Sequence, residues 1–135
     1  MDETLASAPI TLDRSHMVLL PVELDLRPVD VGPEYWATAA ERAELADGRV
    51  LSVFDYATDW TWWERHPLGD ELFYCLIGGL VLLLDDGDRQ WSADLLQGEA
   101  AIVPRGVWHS ARVSKPCTAL FVSPTPAKTE HRNVE

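Results

Sequence analysis

The feature that most constrains the fold of this chain is a succession of short strand-like runs that begins after Gly48. Residues that favour turns separate the runs, for example Asp86-Gly87-Asp88 and Pro104-Arg105-Gly106. Many short strands at close, even spacing are typical of a β-sandwich or barrel and not of a βαβ fold. The predicted strands are Arg49–Tyr56, Trp60–His66, Glu71–Ile77, Leu80–Asp85, Gln90–Leu95, Ala100–Val103, His109–Val113 and Ala119–Val122.

The residues before Gly48 predict less regular structure. Residues 1–16 are polar and mixed, which indicates a loose terminal arm. Met17–Leu26 alternates in polarity from Val22 onward and predicts an edge strand that tolerates Pro21. Glu34–Ala46 predicts a short helix, because it follows a proline, contains several alanines and ends before Asp47-Gly48.

The length of the chain limits the number of domains, and its net charge limits the classes of partner that it can bind. The chain of 135 residues fits one domain, which we expect over residues 17–123, followed by an extended tail over residues 124–135. The net charge of −11 repels phosphate backbones and anionic lipid, so no nucleic-acid or membrane partner is expected. The two cysteines form no C-x-x-C pair and no signal sequence is visible, which predicts a cytoplasmic protein.

Strand alternation places several polar side chains among apolar neighbours on one face. In the second predicted strand Trp60, Trp62, Glu64 and His66 share a face, whereas Trp63 and Arg65 point to the other. A short turn after His66 is expected to fold the next strand back on this one. The groups on the corresponding faces of the later strands are Glu71, Phe73, Cys75 and Ile77 in the third, and His109, Ala111 and Val113 in the seventh.

Two glutamates and two histidines on such faces can converge on one metal ion. Glu64, His66, Glu71 and His109 are therefore the candidate metal ligands, and Glu64 and Glu71 are also candidate catalytic groups. Trp60, Trp62, Phe73 and Cys75 are candidate walls of a pocket beside them. His16 and His131 lie in polar terminal segments and are expected to face solvent.

The spacing of these residues resembles the two motifs of the cupin family. The first motif has His-x-His, three or four residues, Glu, six residues and Gly, and the segment from Glu64 to Glu71 followed by Gly78 matches it with Glu64 in place of the first His. The second motif, Gly-x5-Pro-x-Gly-x2-His, is complete from Gly98 to His109. The Asn that usually ends it is replaced by Val113.

The resemblance implies an all-β protein, a short jelly-roll or double-stranded β-helix barrel, here with a short N-terminal helix. Such barrels are often homodimers and have a ligand cavity open at one end. The resemblance also implies that His66, Glu71 and His109 occupy the metal-binding positions of the family. The motifs and the strands around them cover about residues 49–122.

The replacement of the first motif His by Glu64 leaves three interpretations open. Glu64 completes a set of two imidazoles and two carboxylates, which suits a divalent ion such as Fe(II), Mn(II), Ni(II) or Zn(II). Alternatively, His66, Glu71 and His109 form a two-His-one-carboxylate triad, and Glu64 beside it acts as a general base. In the third interpretation no metal binds, and the carboxylates and imidazoles transfer protons or satisfy one another's buried polarity.

These interpretations lead to different classes of function. The first is a metal-dependent enzyme of dioxygenase or isomerase type that acts on a small organic molecule, with an uncharged aromatic or enolisable compound as the expected substrate. The alternatives are a module that binds a small molecule without converting it, and a metal-free lyase, cyclase or isomerase that uses the glutamate pair. The resemblance does not discriminate among them, because one fold hosts many functions.

Overall fold

The computed structural model describes residues 15–19, 26–42, 48–124, 126 and 128–133. These form nine strands, one short helix and a turn of 3-10 helix. The helix α1 covers Pro33–Thr38, and the 3-10 turn follows at Ala39–Glu41. The strands are β1 (Ser15–Leu19), β2 (Leu26–Asp30), β3 (Arg49–Tyr56), β4 (Trp62–Arg65), β5 (Glu71–Asp85), β6 (Gln90–Leu96), β7 (Ala100–Val103), β8 (Trp108–Pro124) and β9 (Glu130–Asn133).

Two long antiparallel strands, β5 and β8, pair with each other over most of their length and belong to both layers of the barrel. Their first stretch of pairing runs from Leu72 opposite Val122 to Cys75 opposite Ala119. The second runs from Leu80 opposite Val113 to Asp85 opposite Trp108. One layer has the strand order β2-β1-β3-β8-β5-β7, and the other has the order β6-β5-β8-β4-β9. The structure therefore confirms the all-β double-layered barrel.

The bend between the two layers depends on Gly78. The register between β5 and β8 shifts on both sides of Ile77, and Gly78 has a φ of +81°. A Cβ atom at Gly78 would lie 2.1 Å from the carbonyl oxygen of Pro116, so the two backbones approach more closely there than any side chain permits.

The interior of the barrel is filled by the residues that alternate inward along the strands. Glu71, Phe73 and Cys75 are buried, whereas Leu72, Tyr74 and Leu76 between them are half-buried, as alternation predicts. Aromatic and branched side chains dominate the core. It consists of Trp60, Phe73, Cys75, Leu80, Leu82, Leu84, Leu95, Val103, Val107, Ala111, Cys117, Ala119 and Phe121.

Four of the predicted strands form two continuous strands in the structure. The third and fourth predicted strands are both part of β5, and the seventh and eighth are both part of β8. The predicted break at Gly78-Gly79 is a β-bulge inside β5, and the break at Ser114-Lys115-Pro116 lies inside β8. The prediction that Ile77 faces inward with Cys75 was also wrong, since Ile77 is exposed. The bulge changes the alternation at this point, because an extra residue in one strand turns the following side chain to the other face.

The N-terminal elements differ from the prediction as well. The single edge strand predicted over Met17–Leu26 is replaced by the antiparallel pair β1 and β2, with Pro28 in the outer strand; residues 1–14 and 20–25, including Pro21, lie outside the described residues. The helix begins at Pro33 and its 3-10 extension ends at Glu41, whereas residues 43–47, which include the predicted end of the helix, lie outside the described residues. Tyr35 and Ala39 are its buried residues among those whose side chains are described, and a helix this short is stabilised by its packed face.

No helix among the described residues combines the length and the apolar character needed to cross a bilayer. The predicted domain limits at residues 17, 123 and 124 stay predictions. Residues 130–133 of the predicted tail form β9, which pairs with β4 from Trp62 opposite Asn133 to Arg65 opposite Glu130.

We predict that Gly78→Ala lowers the free energy of unfolding by about 3 kcal/mol or more, because it adds a backbone clash to the left-handed strain. Gly87→Ala is the matched control: Gly87 also has positive φ, at +95°, but no atom lies within 4 Å of an added Cβ. The control should lose only about 1–2 kcal/mol. Urea unfolding of the three proteins measures both effects, and equal losses would contradict the close approach of β5 and β8.

Candidate metal centre

The four candidate ligands lie where three strands meet inside the barrel. Glu64 is in β4, His66 follows the end of that strand, Glu71 begins β5 and His109 is the second residue of β8. Glu64 is directly opposite His109 on the neighbouring strand, so their side chains share a face. β4 pairs with β8 and β9 and not with β5, so the predicted folding of β5 back onto β4 was wrong. The four residues meet instead across the interior.

Glu71 lies between the two imidazoles. Its Oε1 is 2.9 Å from Nε2 of His109, and its Oε2 is 3.3 Å from Nε2 of His66. All three side chains are buried, and His109 has no solvent exposure at all. Suitable ligand atoms of Glu64, His66 and His109 lie within 4.8 Å of one another. The structure thus brings all four predicted residues together.

The buried nitrogen atoms are close to Glu71 without forming well-directed hydrogen bonds to it. Nε2 of His66, Nε2 of His109 and Oε1 of Glu71 are all buried, and none has a hydrogen-bond partner of good geometry among the described residues. Buried polar atoms are normally satisfied, so three neighbouring exceptions need an explanation. Two imidazoles and a carboxylate at this spacing are a donor set that suits Fe(II), Mn(II), Ni(II) or Zn(II). The residues therefore fit a divalent metal ion.

Backbone contacts between the two motif loops fix the positions of His66 and Glu71. The carbonyl oxygen of His66 accepts a hydrogen bond from the N–H of Gly106 at 3.1 Å. Oδ1 of Asp70 accepts one from the N–H of Arg105 at 2.8 Å. The turn that precedes His109 is thereby tied to the loop that carries His66.

The charges of this group are strongly coupled. Burial raises the pKa of the Glu71 carboxyl, but His109 and His66 outweigh burial and hold that pKa well below its usual value. Burial lowers the pKa of His66, and the adjacent carboxylates of Glu71 and Glu64 reverse this and raise it above 6.5. In the metal-free protein these contacts therefore favour the ionised form of Glu71 and the protonated form of His66.

Glu64 is the most exposed of the four, with 18% of its side chain accessible, and it marks the open side of the group. His131 of β9 lies outside it, with Nε2 3.6 Å from Oε2 of Glu64 and 60% of its side chain exposed. Glu64 raises the pKa of His131 above its usual value. The expectation that His131 faces solvent describes its exposure but missed its pairing with Glu64. The side chain of His16 lies outside the described residues.

The four predicted pocket residues lie around the site with different exposures. Trp60 and Trp62 are stacked, with ring centroids 4.7 Å apart, and Trp60 lies 6.1 Å from the ring of His109. Phe73 meets His109 edge to face at 5.4 Å, and Cys75 is fully buried in the same core. A depression of about 520 Å³ that Trp60 also lines is bounded by Trp63 and Arg132 and by none of the four candidate ligands. That these residues contact a substrate stays a prediction.

Sequence reasoning missed Tyr56, which ends β3 on the inner face. Burial raises its pKa far above the usual value, and the nearby carboxylates of Glu64 and Glu71 raise it further, so the phenol stays neutral. Its ring lies 5.6 Å from that of Trp60. The inward alternation of Val50, Ser52 and Phe54 before it could have indicated this position.

Strand β9 is held against the outer side of β4 by arginine side chains that contact tryptophan rings and carboxylates. The guanidinium group of Arg132 lies over the rings of Trp63 and Trp108, at 5.1 and 4.5 Å, and also contacts Asp85 at 2.9 Å. Arg65 forms an ion pair with Glu130 of β9. Trp63 and Arg65 therefore point away from the site, as predicted, and their contacts hold β9 next to it.

Comparisons with known proteins support the fold. No family model and no curated protein matches the sequence. The solved structure of the coconut allergen cocosin is similar with a TM-score of 0.52, at 16% identity over 63% of this chain and 23% of that chain. Streptomyces albus HEPD, with 2-hydroxyethylphosphonate and Fe(II) bound, has a TM-score of 0.50, at 19% identity over 57% of this chain and 18% of that chain.

A cupin-2 domain protein from Shewanella frigidimarina is also similar, at 22% identity over 56% of this chain and 70% of that chain, with a TM-score of 0.44. The strand order and the two-layered barrel agree with the motif assignment made above. We conclude that the chain has the two-layered, all-β barrel fold that HEPD and cocosin share with it. At these sequence identities the similarity concerns the fold and not the activity.

We predict that Glu71→Gln destabilises the metal-free protein by roughly 1–3 kcal/mol, because it removes the charge that both imidazoles contact. The lowered pKa of Glu71 stabilises the fold above pH 4.5 and ceases to do so as the pH falls through its folded pKa. The raised pKa of His66 stabilises it below pH 6.5, an effect lost as the pH rises through its folded pKa.

The loss in Glu71→Gln should therefore be largest between pH 4.5 and 6.5. Thermal unfolding across this range, with chelator present, measures it. Glu99→Gln is the control, because Glu99 is exposed and its Oε1 only accepts a hydrogen bond from Leu96, which an amide oxygen also does. A pH-independent loss in Glu71→Gln would contradict the charge assignment.

Proposed function

We propose that this chain is a small metal-dependent enzyme, of dioxygenase or isomerase type, which acts on a small organic molecule at the barrel interior. The observation that carries the proposal is the convergence of two buried imidazole nitrogens on the Glu71 carboxylate, with no well-directed hydrogen bond between them. Streptomyces albus HEPD, which has a similar fold, is solved with Fe(II) bound, so a barrel of this type accommodates such an ion.

His66, Glu71 and His109 would hold the ion, since their donor atoms already face one another. An ion bound there supplies a Lewis acid for a substrate oxygen. Glu71 supplies negative charge, and its lowered pKa keeps it ionised over the range in which the imidazoles can lose their protons. His109 is fixed by complete burial, which restricts its ring to one orientation.

Glu64 has two roles open to it in this proposal. As a fourth ligand it would bring a second carboxylate to the ion. As a general base it would accept a proton from a bound substrate, and its partial exposure at the open side of the group suits a residue that exchanges protons with solvent. The phenol of Tyr56, which burial and the carboxylates of Glu64 and Glu71 keep protonated, would donate a hydrogen bond.

The surroundings of the site favour an uncharged substrate. Trp60, Trp62 and Phe73 give it apolar walls, and the net charge of −11 disfavours the approach of strongly anionic molecules. An uncharged aromatic or enolisable compound remains our proposal for the substrate class.

A metal-free acid–base enzyme and a non-catalytic binding module are the alternatives. The specific observation that favours the acid–base enzyme is the position of the ionised Glu71 between two imidazoles, 2.9 Å from one and 3.3 Å from the other. Both alternatives retain the barrel and its small-molecule ligand. Neither requires an ion.

We predict that the protein, purified without chelator or His-tag, contains close to one equivalent of Fe, Mn, Ni or Zn. His66→Ala and His109→Ala should each lose it, because each removes one of the nitrogen donors. Elemental mass spectrometry measures the content. His131→Ala is the matched control, because His131 contacts Glu64 but lies mostly in solvent.

Glu64→Gln and Glu64→His separate the two roles of Glu64 when metal content and turnover are both measured. Loss of metal in the first and its retention in the second would identify a ligand, whereas retention in both with loss of turnover would identify a base. A wild-type protein that binds none of the four ions after reconstitution would contradict the proposal and favour the acid–base alternative.

We further propose that the chain is a cytoplasmic homodimer. The two cysteines are free and buried, which suits a reducing compartment. The outer face of the first layer is apolar, and Ile102 is 64% exposed on it beside half-buried side chains of the adjacent strands. These neighbours are Leu51, Val53, Leu72, Tyr74, Leu120 and Val122. Such an apolar face suits a symmetric partner surface.

We predict that Ile102→Lys converts a dimer into a monomer, because it places a charge from each copy in the same apolar contact. Leu96→Lys is the control, since Leu96 is equally exposed but lies on β6 in the other layer. Sedimentation velocity measures both. A wild-type monomer, or a variant that stays dimeric, would exclude this face as the interface.

A further inference from the structure

The segment that leads into β9 contacts the metal centre directly. Oγ1 of Thr129 lies 3.1 Å from Nδ1 of His66, which is the ring nitrogen on the side opposite Glu71. Thr129 immediately precedes β9 and is half-buried. The contact joins residues that are 63 positions apart in the sequence.

The two imidazoles of the site are oriented in different ways. His109 is completely buried and is held edge to face by Phe73. Its Nδ1 has no hydrogen-bond partner among the described residues. His66 lies beyond the end of β4, in the loop that leads to Glu71, where no strand pairing fixes it. Packing therefore orients the ring of His109, and a side-chain hydrogen bond orients the ring of His66.

A hydroxyl group suits the position next to Nδ1 of His66. If Nε2 is to bind an ion through its lone pair, the proton of the neutral ring must be on Nδ1, and the Thr129 oxygen then accepts a hydrogen bond from it. If Nε2 carries the proton and Nδ1 does not, the hydroxyl of Thr129 donates to Nδ1. The same contact holds the ring plane in both states, because a hydroxyl can be donor or acceptor.

We propose that Thr129 is a positioning residue of the metal centre, which holds the His66 ring so that Nε2 faces the ion-binding group. The part that concerns the ion rests on the proposed function. Groups that bond the outer nitrogen of a ligating histidine fix its tautomer and its orientation, and their loss typically weakens metal binding 10–100-fold. The segment that leads into β9 is thereby part of the site.

The position of Thr129 is itself fixed by the strand that follows it. Glu130 pairs with Arg65, and the Arg132 guanidinium group lies between the rings of Trp63 and Trp108. The N–H of Thr129 donates to the carbonyl oxygen of Pro126 at 3.1 Å. These contacts hold the backbone on both sides of Thr129, so the hydroxyl approaches His66 from a fixed direction.

The test compares Thr129→Val, which keeps the shape and removes the hydroxyl, with Thr129→Ser, which keeps the hydroxyl. Isothermal titration with Zn(II) and with Ni(II) should show binding roughly 10–100-fold weaker in the valine variant and within about threefold of wild type in the serine variant. Thr118→Val is the matched control. Thr118 also uses its hydroxyl in a side-chain hydrogen bond, to Asp55 at 2.6 Å, but in the half of β8 distant from His109.

A second readout does not depend on metal. The ¹⁵N resonances of the His66 ring in the metal-free protein should shift in Thr129→Val and stay near their wild-type positions in Thr129→Ser and Thr118→Val. Unchanged His66 resonances in Thr129→Val would overturn the proposal, as would a serine variant that resembles the valine variant. If the wild type binds neither ion, the proposed metal function fails, and the resonances alone decide the role of Thr129.

Discussion

The structure depends on the antiparallel pairing of β5 with β8, whose register shifts between Cys75 and Leu80 where the strands bend. Each strand contributes its first half to one layer and its second half to the other. Because the strands run in opposite directions, their N-terminal ends lie in different layers and face each other across the interior. Glu71 and His109, which occupy those ends, are therefore 2.9 Å apart although their strands are not in register there. The site is a consequence of the bend.

Much of this arrangement could be predicted from local sequence patterns. The period-two alternation of β5 predicted the inward positions of Glu71, Phe73 and Cys75, and motif spacing selected the metal-site candidates. The bend could not be predicted in the same way. Gly78-Gly79 has the composition of a tight turn, and its role inside a continuous strand depends on the backbone of Pro116, far away in the sequence. The choice of strand partners for β4 is also a long-range property.

The residues that the sequence did not indicate reach the site from distant parts of the chain. Thr129 meets His66 through a strand that pairs only once the barrel exists, and nothing in a Pro/Thr/charge-rich segment indicates such a contact. The helix shows the opposite failure, since its alanines have high helical propensity but the regular helix ends at Thr38 and its 3-10 extension at Glu41. In both cases tertiary packing, and not local preference, decides the outcome.

The stacked indole rings of Trp60 and Trp62 have an optical consequence. Their planes differ by only 13° at a centroid separation of 4.7 Å, which couples their intense transitions and should give a circular dichroism signal in the far ultraviolet. One ring of the pair lies 6.1 Å from His109, close enough for its emission to respond to a paramagnetic or heavy ion on that imidazole. The barrel thus contains its own chromophore beside the site, and occupancy can be followed without any added label.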